Sequence, residues 1–228
     1  MQIKAVLFDL DGTLIDTIPD LTYGLNQMLK GLEKPPLTTV QVSSMVGRGV
    51  IDLMENVFRA SRLAVSSDAI HKAISVYCDI MVRSGSSHST VFPDVFESLA
   101  RLRASGMKVA IVTNKPRNMT EAIVREKDLA GRVDCVVAAG DAATVKPHPE
   151  MLWFACDKLG VVRNEAVMVG DSSNDAFAAQ SAGMPVYLVT TGYNGSEPVD
   201  CWAKENGFSR VFGSLRGVTD SILSQPQG

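Results

Sequence analysis

Ile3-Lys4-Ala5-Val6-Leu7-Phe8-Asp9-Leu10-Asp11-Gly12-Thr13-Leu14 runs an apolar segment straight into two carboxylates that stand two residues apart. The apolar part has no polar alternation, which predicts a strand covered on both faces, as strands inside parallel sheets are. Ligands of such sheets collect beyond the carboxyl ends of the strands, where Asp9 and Asp11 stand. Residues two apart in an extended chain share a face. The two acids can therefore address one substrate, one as nucleophile and the other as donor and acceptor of a proton. Gly12 permits a turn that Thr13 can cap. A plain Asp-Gly turn after a strand would produce the same hexapeptide without any chemistry, so the choice rests on the remaining chain.

Four more apolar runs end in polar residues: Val109-Ala110-Ile111-Val112, Cys135-Val136-Val137-Ala138, Ala166-Val167-Met168-Val169 and Val186-Tyr187-Leu188-Val189. Between them, Asp94 to Ala104, Met119 to Lys127, Glu150 to Leu159 and Asp175 to Ala182 carry apolar residues at three- and four-residue spacing. Strands alternating with helices predict βα units and a mostly parallel sheet. Residues 16–89 break that rhythm. Leu21 to Leu32, Val50 to Phe58 and Ala69 to Val82 are amphipathic and almost nothing is strand-like, so this stretch reads as an all-helical insertion with a Ser-Gly-Ser-Ser return linker at 84–87. Placed after the first strand, it would roof the carboxyl end of the sheet; helices that merely thicken the fold would leave the same pattern.

At 228 residues and 46% hydrophobic, the chain can bury a large core. The 22 basic and 25 acidic residues leave a formal net charge of −3, with a pI of about 5.6. This balance disfavours nucleic acid or an anionic membrane as a partner and favours a small molecule. Cys78, Cys135, Cys156 and Cys201 are too few and too scattered for a disulfide framework, so reduced thiols are expected. With a strand in place of a signal peptide and no apolar run of about 18 residues, a soluble cytoplasmic protein is expected. A monomer or homodimer completes that expectation.

Three further motifs land at strand ends. Thr113-Asn114-Lys115-Pro116 offers a hydroxyl, an amide and a following helix N-terminus to a phosphate, although a helix cap would use Thr113 and Asn114 equally well. Lys146-Pro147-His148-Pro149 holds Lys146 in stiff backbone, as suits a fixed cation beside carboxylates; alone it would be a solvated loop lysine. His148 lacks metal-ligand spacing to His71 or His88 and reads as a loop or capping residue. In Gly170-Asp171-Ser172-Ser173-Asn174-Asp175 the two acids stand four apart at a helix start. Helix capping could explain either. With Asp9 and Asp11 they make four carboxylates in one crevice, which calls for compensating cations and suits Mg²⁺ with its hard oxygen ligands. In the insertion, Gly47-Arg48-Gly49 makes a short turn whose guanidinium could grip a carboxylate, or could be an ordinary surface arginine.

In order, Asp9 and Asp11, Thr113, Lys146, then Asp171 and Asp175 resemble the four motifs of the haloacid dehalogenase superfamily, over nearly the whole chain. The resemblance implies a Rossmann-like, doubly wound α/β core formed by residues 1–15 and 90–228, with 16–89 as a helical cap domain. It implies a Mg²⁺-dependent phosphatase acting on a small-molecule phosphoester, with Asp9 as the nucleophile that becomes an aspartyl-phosphate and Asp11 as acid and base. The metal would be held by Asp9, the backbone carbonyl of Asp11, and Asp171, with Asp175 helping directly or through water. Thr113, Asn114 and Lys146 would cradle the phosphate. Finer details are similar to bacterial phosphoglycolate phosphatases: Asp16-Thr17-Ile18-Pro19-Asp20, Val46-Gly47-Arg48-Gly49, the motifs at 113–116, 146–149 and 170–175, and Gly192-Tyr193-Asn194. Where those proteins usually have Phe-Pro-Gly-Val, this chain has Phe92-Pro93-Asp94-Val95. Cousins with the same core hydrolyse other sugar phosphates or pyrophosphate, or act as phosphomutases.

Overall fold

The computed structural model describes residues 2–47 and 49–225. Its centre is β1 (Ala5–Phe8), whose four residues are all fully buried. To one side lie β4 (Lys108–Pro116) and β5 (Cys135–Ala139); to the other lie β6 (Ala166–Gly170), β7 (Val186–Val189) and β8 (Val211–Phe212). The order is β5-β4-β1-β6-β7-β8 and every pairing is parallel. The chain thus winds outward from β1 in one direction, returns, and winds outward in the other. Direction reverses between β1 and β6, and the crevice beyond their carboxyl ends is where a doubly wound sheet binds its ligand.

The unbroken apolar strands are explained by two cores. Val6, Phe8, Val109, Ile111, Val167 and Val169 face one side. They pack on Leu99 and Leu102 of α5 (Val95–Ala104), Ile123 and Val124 of α6 (Arg117–Glu126), and Val218 and Ile222 of α10 (Leu215–Leu223). Ala5, Leu7, Ala110, Val112 and Met168 face the other side, against Met151, Leu152 and Ala155 of α7 (Glu150–Leu159) and Ala178 and Ala179 of α8 (Ser173–Ala182). Side chains alternate between the two faces with period two, and both faces are covered, so no polar residue interrupts the strands.

Helices α1 (Ile18–Gly31), α2 (Thr39–Ser43), α3 (Val50–Ala60) and α4 (Ser67–Ser84) lie between β1 and the rest of the sheet in sequence. They bury a cluster of their own: Leu21, Leu25, Met28 and Leu29 from α1, Leu53, Met54, Val57 and Phe58 from α3, and Ile70, Ala73, Tyr77 and Met81 from α4. Met119 and Tyr193 join it from the sheet side. Two short strands, β2 (Ile15–Asp16) and β3 (Thr90–Val91), pair antiparallel where the chain leaves for these helices and comes back. Sequence periodicity missed both, because two residues show no period. The linker read as 84–87 begins one residue later, since Ser84 closes α4 and Gly85 follows it at φ +69°. Helix α2, held by a capping box between Thr38 and Gln41, α9 (Val199–Glu205), β8 and α10 were also absent from the sequence reading.

Candidate active site

Asp9 follows β1 directly, and its backbone N–H donates to the Val169 carbonyl of β6 (2.9 Å), which puts it at the reversal point of the sheet. Its Oδ1 accepts the Leu10 N–H (2.7 Å) and Nζ of Lys146 (2.9 Å), whereas Oδ2 has no partner among the described residues. Burial pushes the Asp9 carboxyl up to about 7; the charge of Lys146 pulls it back, while Asp175 and Asp11 push it further. Asp171 is driven well up by burial and by Asp9 and Asp175, against hydrogen bonds from the Tyr193 N–H and the Thr13 hydroxyl. Those bonds, 2.6 Å to Oδ2 and 2.7 Å to Oδ1, fix the Asp171 side chain. Gly12 and Gly192 are glycines for the same reason: a Cβ on either would run into the Asp171 carboxylate, and Gly12 also needs φ +86°.

Lys146 is 2% exposed and its three N–H bonds are all used, by Asp9 Oδ1 (2.9 Å), Asp175 Oδ1 (2.6 Å) and the Val112 carbonyl (2.8 Å). Burial favours its neutral form, but Asp175 and Asp9 outweigh burial and hold the ammonium charged. Asp175 gives its other oxygen to α8, accepting the Ser172 N–H (3.1 Å) and Ser172 hydroxyl (2.7 Å). The helix-capping role and the charge-cluster role raised for Asp175 are thus both real, one for each oxygen.

Strand β4 supplies the opposite wall. The sequence reading stopped it at Val112, but it continues to Pro116, and its register against β5 slips between Val112 and Pro116. Such an irregularity re-aims side chains, and here Thr113, Asn114 and Lys115 all reach the cleft. Thr113 accepts the Lys115 N–H (3.1 Å), and its own O–H remains available. Asn114 clamps the Lys146 backbone with both ends of its amide, donating to the carbonyl (2.8 Å) and accepting from the N–H (3.0 Å). Expected to touch phosphate, it lines the cleft and also places Lys146. Lys115, quoted in its motif but given no role, lies with Nζ 2.9 Å from Asp11 Oδ1. Its neighbours Thr113 and Asn114 drew the attention, because a lysine after a strand has no spacing signal of its own.

The helical insertion covers the top of the cleft, which is lined from above by Leu21, Val50, Leu53 and Tyr77. Asn174 on α8 donates to the Gly47 carbonyl, tying insertion to core across the opening. Arg48 lies outside the described residues.

Oxygens of Asp9, Asp171 and Asp175 lie within 4.8 Å of one another. The four carboxylates face two ammonium groups, leaving two negative charges uncompensated among the described residues. Burial first, and the neighbouring acids after it, raise the carboxyls of Asp9 and Asp171. Hard oxygen donors around an uncompensated charge of this size fit a divalent cation such as Mg²⁺.

Comparison with known proteins agrees with this architecture. Residues 6–189 match the family described as haloacid dehalogenase-like hydrolase. The chain belongs to the haloacid dehalogenase-like hydrolases. Within that family it is 41% identical to the plasmid phosphoglycolate phosphatase of Cupriavidus necator over 194 residues, 84% of this chain and 82% of that protein. It is 32% identical to the phosphoglycolate phosphatase of Vibrio vulnificus over 225 residues, 97% of each. A crystal structure described as a predicted phosphoglycolate phosphatase from Haemophilus somnus superposes with a TM-score of 0.86 at 28% identity, covering 97% of this chain and 98% of the other. This hydrolase has no helix, among its described residues, long and apolar enough to cross a membrane.

Proposed function

We propose that this hydrolase is a phosphatase that converts 2-phosphoglycolate to glycolate and phosphate through a phosphorylated Asp9. The observation that carries the reading is Asp9 itself: buried, pinned by one oxygen to Lys146 and Leu10, and with the other oxygen unengaged. The relatives described as phosphoglycolate phosphatases support the choice of substrate.

The unengaged oxygen of Asp9 attacks phosphorus and the bond to the leaving oxygen breaks. Asp11, held by Lys115 through Oδ1, delivers a proton from Oδ2 to that oxygen. Asp11, now a carboxylate, takes a proton from water as the water oxygen attacks phosphorus; the Asp9–phosphorus bond breaks and phosphate leaves. Lys146 keeps Asp9 oriented throughout, and Thr113 donates its hydroxyl to the phosphoryl oxygens. Asp9 and Asp171, with the Asp11 carbonyl, would hold Mg²⁺, and Asp175 supports them through Lys146 and α8. When bound, the ion supplies positive charge to the phosphoryl oxygens. The insertion, residues 16–89, serves as the cap that excludes bulk water, and Arg48 contributes a guanidinium from it.

The test is rapid quenching of the unmodified enzyme with phosphorus-labelled 2-phosphoglycolate in the presence of Mg²⁺. Label on the peptide carrying Asp9 is expected at early times. Hydrolysis with no label on protein at any quench time, or no release of free phosphate from 2-phosphoglycolate, would overturn the reading.

A further inference from the structure

Two polar groups in the cleft have donors that the chemistry above leaves free. The Tyr77 hydroxyl, on a residue 1% exposed, lines the cleft and has no hydrogen-bond partner among the described residues. Lys115 is 8% exposed, and its Nζ has one partner among the described residues, Asp11, leaving two N–H bonds unengaged. Lys146 differs, because its three donors are taken by protein. A buried hydroxyl without a partner and a buried ammonium with free donors are both unfavourable unless a ligand completes them.

Resting on the function proposed above, we infer that Tyr77 and Lys115 form the subsite for the leaving group and that they recognise a carboxylate there. Both groups donate, so the matching ligand group accepts, and beside an ammonium an anion is favoured over a neutral oxygen. Lys115 is bonded to Asp11, the proton donor to the leaving oxygen, so the subsite adjoins the end of the substrate that departs. Burial and the Asp11 charge hold the Tyr77 phenol in its protonated, donating form. The apolar part of the lining, Leu21, Val46, Val50, Leu53 and Met119, offers nothing to a sugar's hydroxyls. Each hydroxyl placed against them would lose its water without replacement, so the site rejects polyols and accepts a small acid.

The test compares kcat/KM for 2-phosphoglycolate and for ethyl phosphate, which replaces the carboxylate by a methyl group, with Mg²⁺ present. The unmodified enzyme is expected to prefer phosphoglycolate. Lys115→Met should cut that preference by about 30-fold and Tyr77→Phe by about 10-fold, mainly through KM, and Lys115→Arg should restore part of it. Any general loss from freeing Asp11 falls on both substrates and cancels in the ratio. Tyr77→Phe should also raise Tm, because the ligand-free protein loses an unpaired buried hydroxyl. Variants that keep the full preference overturn the subsite and leave the phosphatase reading standing. An unmodified enzyme with no preference overturns the phosphoglycolate reading and the subsite with it.

Discussion

Asp9 and Asp171 are surrounded so closely that single-atom changes have defined consequences. Asp9→Asn replaces the attacking oxygen with an amide and should lower turnover by at least about 1,000-fold while the fold stays intact, measured as phosphate release beside a circular dichroism spectrum. Gly192→Ala should act at a distance from the nucleophile. Its new Cβ displaces Asp171, so the Mg²⁺ concentration for half-maximal activity should rise at least about tenfold, and an unchanged metal requirement would show that Asp171 tolerates the shift. Asp94 illustrates the same precision away from the site. It occupies φ +65°, the left-handed region that favours glycine. Asp94→Gly should therefore be more stable than Asp94→Ala by about 1 kcal/mol in urea titrations, since both lose the ion pair to Arg216 and only alanine meets the Cβ strain.

Among elements, the junction formed by β2, β3 and the start of α1 holds the insertion in place. Asp20 on α1 is 3% exposed and accepts the N–H groups of His88 (3.1 Å) and Ser89 (2.7 Å), together with the Ser89 hydroxyl. Burial pushes the Asp20 carboxyl up, but the bonds from Ser89 and His88 outweigh it and hold the carboxyl below its usual range. A carboxyl lowered in the folded state stabilises the protein fully above its unfolded pKa, and that contribution disappears as pH falls through the folded value. Asp20→Asn should then cost about 2 kcal/mol at pH 7, roughly 4–8 °C in Tm. The gap to the unmodified protein should narrow below about pH 4; a gap constant from pH 7 to pH 3 would show that charge is not what Asp20 contributes. On the other side of the junction the Tyr193 hydroxyl bonds Asp16 while its N–H bonds Asp171, so one residue links the linker to the acidic cluster.

For the whole molecule, the proposed reaction draws on the core, the insertion and a cation together. Activity should vanish in EDTA and return with Mg²⁺, and Tm should rise on adding Mg²⁺ alone, because the ion relieves the two uncompensated charges in the cleft. A Tm indifferent to Mg²⁺ at millimolar concentration would count against a divalent ion in this cluster. Gly47 and Gly49 line the cleft on either side of Arg48 in sequence. Arg48→Ala should lower kcat/KM about 30-fold or more for 2-phosphoglycolate and much less for nitrophenyl phosphate; equal losses would make it a residue that seats the cap.

The sequence by itself determined the buried central strands, most of the helices between them and the acids at the strand ends, but not β2, β3, β8, α2, α9 or α10. An apolar run without alternation can be satisfied only by burial on both faces, and a carboxylate at its end can only emerge at the sheet's rim, so Asp9, Asp11 and Asp171 were legible from local pattern, and Lys146 only as their partner. Partnership was not legible, because it depends on distances between residues from about thirty to more than a hundred positions apart. Only the tertiary structure decided that Lys146 is saturated by Asp9, Asp175 and Val112, that Asn114 serves the Lys146 backbone, and that Lys115 meets Asp11. Tyr77 is the clearest case. Along the chain it is one more apolar position on an amphipathic helix, and its hydroxyl acquires meaning only when the fold lowers that helix over the cleft and leaves the oxygen without a bonding partner among the described residues.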